Sequence, residues 1–190
     1  MKISRYKNKF TLLVNPKKKR IKGFTLIELL VVIAIIGLLS SVVLIGLSGA
    51  RAKTRDAIRI HDMKQILLAL QIYWDENERY PSISSDGCCD GWDQGPCDTN
   101  PFIGALVSQG LMISVPTDPG GGSGTGCYGY SYYRYSAGSY GCDSSRGAFF
   151  VLGVRDMETS GRPHPESPGW SCPSRNWQGE FDWVIGGFEK

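Results

Sequence analysis

Lys22-Gly23-Phe24-Thr25-Leu26-Ile27-Glu28-Leu29-Leu30-Val31-Val32-Ile33-Ala34-Ile35-Ile36-Gly37-Leu38-Leu39 is the stretch that decides the fold. A basic head stops at Gly23, an apolar run opens at Phe24, and a single carboxylate, Glu28, stands near its start. Residues 1–22 carry nine Lys or Arg and no acid, while residues 29–47 carry no charge at all. Those 19 uncharged residues make about 28 Å of helix, enough to cross a bilayer. Basic residues ahead of a span hold that side in the cytoplasm. The expectation is therefore a single-pass helix with a cytoplasmic N-terminus and an extracytoplasmic remainder. A charge retained inside an apolar helix marks Glu28 as a functional-site candidate that needs a partner.

The overall net charge of +3 conceals two opposite parts. Beyond Gly23 there are 12 basic and 18 acidic residues, so an acidic body follows a basic leader. No cationic stripe remains to neutralise phosphates, and nucleic acid is not an expected partner. Six cysteines, Cys88, Cys89, Cys97, Cys127, Cys142 and Cys172, all fall in the acidic body. An even count on one side of a membrane reads as disulfides of an oxidising compartment. A hairpin-like segment between Cys127 and Cys142 makes that the favoured pair. Cys88-Cys89 and Cys97 form no CxxC knuckle, which argues against structural zinc.

Other readings of the apolar run fit less well. A cleaved secretory signal has a shorter apolar core, although Ser48-Gly49-Ala50 has the small residues of a cleavage site. A plain anchor explains the length but not the placement of Gly23 and Glu28. Beyond Gly49, the residues Ala57, Ile60, Met63, Leu67, Leu70 and Trp74 recur every three or four positions, with Arg55, Asp56, Arg59, Asp62 and Lys64 between them. That spacing predicts an amphipathic continuation of the same helix, its charged side in solvent. Pro81 restricts Tyr80 to extended backbone and closes the element. A short helix is expected around Phe102-Ile103-Gly104-Ala105-Leu106-Val107. Strands are expected at 128–135, 148–154 and 181–186. The fold class is α+β, a long N-terminal transmembrane and amphipathic helix packed by its upper half against a small antiparallel sheet, in two layers. The tyrosines of 128–135 admit a sugar-stacking reading, with half-buried sheet packing as the ordinary one.

The string from Lys22 to Leu39 resembles the class III signal of type IV pilins and type II secretion pseudopilins. Glu78-Arg79-Tyr80-Pro81 and Val115-Pro116-Thr117-Asp118-Pro119 resemble later stretches of the same family. The resemblance implies a pilin-like fold and cleavage between Gly23 and Phe24 by a prepilin peptidase, giving N-methyl-Phe24. It implies assembly through Phe24 and Glu28, the carboxylate meeting the amine of a neighbouring subunit. Gly37 and Gly46 permit close helix approach. The implied segments are a leader at 1–23, a transmembrane half at 24–47, an amphipathic half at 48–78 and a head at 79–190. The head divides into a connection at 82–126 and a sheet at 127–190. Implied partners are copies of the chain, minor pilins or pseudopilins, the peptidase and an inner-membrane assembly platform, in a periplasmic or cell-surface filament. Some members bind calcium in C-terminal loops, which makes Asp143 and Asp156 the candidate ligands; no other cofactor is expected. Asp118-Pro119 is followed by Gly120-Gly121 where major pseudopilins commonly have Trp-Gly, which inclines the reading toward a pilus.

Other function classes find little support. The run Gly120-Gly121-Gly122-Ser123-Gly124 lacks a following GK[ST] and reads as a turn. There is no G-x-S-x-G or H-E-x-x-H, and His61 and His164 stand in unrelated contexts, so no enzyme is expected. The alternative to a filament subunit is an anchored extracytoplasmic binding or adhesin module that does not polymerise.

Overall fold

The computed structural model describes residues 23–83, 88–94, 101–120 and 129–190, without the side chains of 42–46, 88 and 90. Helix α1 (Leu26–Asn77) runs for 52 residues. Its start is written in the sequence as Thr25-x-x-Glu28, the pattern of a capping box. Its end is set by Glu78, which takes a left-handed φ of 55° and donates its backbone N–H to the Trp74 carbonyl at 2.7 Å. The Asn77 side chain also donates to the Tyr73 carbonyl at 2.8 Å, so orphan carbonyls of the last turn are satisfied.

The chain divides into two compact units, Met1–Val43 and Leu44–Lys190. In the first, the described apolar side chains from Phe24 to Leu39 are exposed all round the helix. Among the described residues no helix is long and apolar enough to cross a membrane. The uncharged residues 29–41, whose side chains are described, give about 20 Å of helix against about 30 Å of hydrocarbon. That finding overturns the expected transmembrane half at 24–47, and with it the single-pass placement with an extracytoplasmic head.

In the second unit α1 packs against a three-stranded antiparallel sheet of order β1 (Tyr130–Tyr135), β2 (Phe149–Val154) and β5 (Trp183–Phe188). Register pairs Tyr132 with Leu152 and Leu152 with Ile185. The twofold alternation of strands sends Tyr130, Tyr132, Phe150, Leu152, Val154 and Trp183 to the face that meets Met63, Ile66 and Leu70 of α1. Short helix α2 (Gly104–Ser108) adds Leu106 to the same cluster. All three expected strands form, each within about two residues of its expected bounds.

The two-layer expectation needs one correction. The opposite face of the sheet is also dry: Tyr135, Phe149, Val151 and Val184 pack against Trp92, Trp177 and Phe181. These come from the segment around 88–94 and from the long 155–182 connection, which carries a hairpin of β3 (Ser171–Cys172) and β4 (Arg175–Asn176). Strand β2 is consequently buried along its whole length. Gly153 faces this outer layer, where a Cβ would sit 2.6 Å from the ring of Phe181.

Cysteine pairing also departs from expectation. Cys142 is bonded to Cys172, with Cα atoms 5.0 Å apart, instead of to Cys127. The turn after β1 folds over the outer layer, so Cys142 meets the β3 hairpin. Cys97 and Cys127 lie outside the described residues, as do all of the expected leader 1–23 but Gly23 and the glycine run from 121 onward.

Candidate functional site

Two constellations stand out. The first is the beginning of α1. Thr25 donates both its backbone N–H (2.9 Å) and its hydroxyl (2.7 Å) to Oε2 of Glu28, and the Glu28 N–H returns to Thr25 Oγ1 at 3.3 Å. The reciprocal bonds satisfy donors that a helix start leaves open. The Thr25 hydroxyl, and then its amide, hold the Glu28 carboxyl below the usual carboxylate range. Glu28 is therefore an anion at neutral pH, fixed in the first turn and exposed. Gly23 and Phe24 precede the helix in irregular, exposed backbone, Phe24 at 81% exposure. Around Gly37 a Cβ would meet nothing within 4 Å, so its helix face is open to an approaching surface. Gly46 lies in α1 among residues whose surroundings are not described.

The second constellation was not expected. Arg55, Asp56, Arg59 and Asp62 fall between the apolar positions of α1 and read as a solvated side. The structure buries three of them, Asp56, Arg59 and Asp62. The buried face is 56-59-60-62-63-66-69-70-73, turned by about one residue from the expected stripe, and it leaves Ala57 exposed. Arg59, only 2% exposed, sends Nε and Nη2 as a fork to Asp118 (2.9 and 2.8 Å) and Nη1 to Asp56 (2.7 Å) and Glu158 (2.9 Å). Arg55 also holds Glu158. Asp56 in turn accepts from the backbone N–H groups of Glu158 (2.9 Å) and Thr159 (2.8 Å) and from the Thr159 hydroxyl (2.7 Å). Tyr130 donates to Asp62 at 2.6 Å.

Burial opposes the charge on Arg59, yet bonds to Asp118 and Glu158 outweigh it and its pKa is raised. Burial likewise opposes ionisation of Asp56, but its Thr159 and Glu158 donors win and its pKa is lowered. Glu158, held first by Arg55, is lowered to about 2. The network joins α1 to the 117–120 turn and the 156–159 loop. A sequence signal existed in the i,i+3 pair Asp56 and Arg59 and in Asp118-Pro119, but nothing in the spacing announced that they meet.

The expected calcium ligands are not brought together. Asp143 caps a turn, accepting from the Ser145 N–H (2.9 Å) and hydroxyl (2.7 Å). Asp156 accepts from the Gly129 N–H at 3.1 Å. Among the described residues no group of three or more His, Cys, Asp or Glu is placed to hold a metal ion.

Comparison with known proteins addresses the first constellation directly. The family model described as the prokaryotic N-terminal methylation motif matches residues 18–44. The type II secretion system core protein G of Aeromonas hydrophila is 39% identical over 125 residues, covering 66% of this chain and 80% of that protein. Its counterpart in Dickeya chrysanthemi is 37% identical over 137 residues, covering 65% and 74%. The type IV major pilin protein PilA of Myxococcus xanthus is 24% identical over the whole of this chain and 85% of its own. No solved structure gives a significant match. The chain belongs to the type IV pilin and type II secretion pseudopilin family, whose members are structural, polymerising filament subunits rather than enzymes.

Proposed function

We propose that this chain assembles through its N-terminal helix, after removal of the leader between Gly23 and Phe24 and methylation of the new Phe24 amine. The observation that carries the reading is the run of apolar side chains from Phe24 to Leu39, exposed on every side with no partner among the described residues of their own unit. Burying such side chains is worth about 1.5–3 kcal/mol each. A helical array of copies supplies neighbours through one repeated heterologous contact. Gly37 leaves the helix face open for close approach.

Glu28 then has a defined role. Its capping bonds all fall on Oε2, so Oε1 lies outside the capping box and is available to the Phe24 amine of the next subunit. Pairing of that kind fixes register more than it adds stability, because each charge gives up water. The similarity to core protein G favours a type II secretion pseudopilus over a surface pilus. Its partners on this reading are other pseudopilins, the prepilin peptidase and the assembly platform. Intact mass and N-terminal sequencing of protein from its native source test the reading. Mature protein starting at N-methyl-Phe24 supports it; an unprocessed chain, or a start near residue 50, overturns it.

A further inference from the structure

On the outer face of the sheet, away from α1, lies an open cleft of about 840 Å³. This volume falls in the range of small-molecule sites. Its walls include Tyr133, Tyr140, Arg155, Asp156, Arg175 and Glu180. Neither helix assembly nor the hydrogen bonds of the Arg59 network use any part of it.

Tyr140 is the residue that sets it apart. It adopts φ 52°, ψ 26°, a left-handed conformation that a bulky residue seldom takes. It is also 39% exposed, which among the described aromatic residues is matched or exceeded only by Phe24. Everything around it is fixed. The Cys142–Cys172 bond lies two residues on, the Ser174 N–H donates to the Tyr140 carbonyl at 3.0 Å, and Arg175 donates to the Tyr140 hydroxyl at 2.7 Å. The Arg175 guanidinium also lies 4.8 Å from the ring centroid. A strained, rigidly held and partly exposed ring is a platform prepared for a flat partner.

The charges say which partner. Arg175 forks onto Glu180 with two bonds of 2.8 Å, and Arg162, also on the wall, donates to Asp182 at 2.8 Å. Arg155 stacks 4.6 Å from the Phe181 centroid and adjoins Asp156 in the chain. The Arg175 and Arg162 guanidiniums are each neutralised by a carboxylate, so an anion gains little net field here. What remains is an alternation of oriented donors and acceptors along an aromatic wall. Sugar rings have that chemistry, with apolar C–H faces for Tyr140 and Tyr133 and hydroxyls that donate and accept together. We propose that this cleft binds a neutral oligosaccharide, stacked on Tyr140 and hydrogen-bonded to Arg155, Asp156 and the Arg175–Glu180 pair.

The full chain, solubilised in mild detergent, is titrated with maltotetraose, chitotetraose and a tetragalacturonate. Saturation-transfer NMR reads the sugars and the arginine Nε–H resonances read the protein. The expected result is saturation transfer to a neutral tetrasaccharide, with shifts at Arg155 and Arg175. Glycine adopts the left-handed conformation without strain, so Tyr140→Gly removes the ring and keeps the turn. It should bind about tenfold more weakly, while Tyr140→Phe stays within about threefold. Binding of the acidic sugar alone, of no sugar, or equally by wild type and Tyr140→Gly overturns the proposal. Should Tyr140→Gly lose its near-ultraviolet circular dichroism, the wild-type arginine shifts decide, and unshifted Arg155 and Arg175 overturn it.

Discussion

Replacing Arg59 by leucine tests the central electrostatic claim. The guanidinium is 2% exposed and satisfies Asp118 with a two-bond fork and Asp56 and Glu158 with one bond each. Without it the carboxylates fare differently. Asp56 keeps its backbone and hydroxyl donors from Glu158 and Thr159, and the partly exposed Glu158 keeps Arg55. Among the described residues Asp118 keeps only the Gly120 N–H at 2.6 Å, and its side chain is 4% exposed. One carboxylate is therefore stranded, and breaking a buried pair in this way costs about 3–5 kcal/mol. For a unit the size of Leu44–Lys190 that corresponds to a fall in Tm of about 6–20 °C. Thermal melts of wild type, Arg59→Leu and the double variant Arg59→Leu/Asp118→Leu read this out, and the double variant should recover much of the loss because no buried charge is left alone. The pH dependence has a definite sign. Glu158 and Asp56 have lowered folded-state pKa values, so their stabilisation is full above the unfolded carboxylate range and is lost as pH falls toward about 2. Wild type weakens on acidification, and Arg59→Leu has already lost the guanidinium bonds to Asp56 and Glu158, so the two melts converge. A loss under about 1 kcal/mol at neutral pH, or a gap that widens in acid, would refute the reasoning.

Glu28→Ala should be processed normally yet enter filaments poorly, since the neighbouring amine loses its partner; blots of sheared and cell-bound fractions check this, and normal filament yield would reduce Glu28 to a helix cap. Cys142→Ala opens a loop of 30 residues and should lower stability by about 3–4 kcal/mol in the chain-entropy estimate. Urea midpoints measure it, and a non-reduced digest linking Cys127 to Cys142 would contradict the pairing. Gly153→Ala drives a methyl group into the buried Phe181 ring, so a loss of about 1–3 kcal/mol is expected from overpacking. A melt unchanged within error would show that Phe181 can move aside.

Much of the architecture was legible because it rests on local rules. Thr25-x-x-Glu28 marks a helix start, aromatic runs bounded by turns mark strands, and Tyr80-Pro81 marks a stop. What escaped was set by contacts far apart in sequence. Arg59 looks like a surface residue until Asp118 and Glu158, 59 and 99 positions later, arrive to neutralise it. The outer aromatic layer was hidden for a related reason: Trp92 and Trp177 lie in loop-like sequence with no periodicity, and only the return of the 155–182 connection buries them beside Phe181. Cys142 illustrates the limit of short-range reasoning, because its nearer expected partner loses to Cys172 through the fold of the turn after β1. The family was the most readable part, since the string from Lys22 to Leu39 that carries the resemblance is contiguous.

The Arg59 network has a mechanical meaning. Apolar contacts between α1 and the sheet are non-directional, so Met63, Ile66 and Leu70 resist separation far more than they resist sliding. Hydrogen-bonded charges are short-ranged and angular, and a shift of an ångström along the helix axis breaks the fork from Arg59 to Asp118. Traction applied along α1 therefore meets directional resistance first at this network, and then at the Tyr130–Asp62 and Trp74–Glu189 bonds further along the helix. The arginine acts as a shear pin between this part of the helix and the sheet it packs against, fixing how far one can travel past the other before both give way.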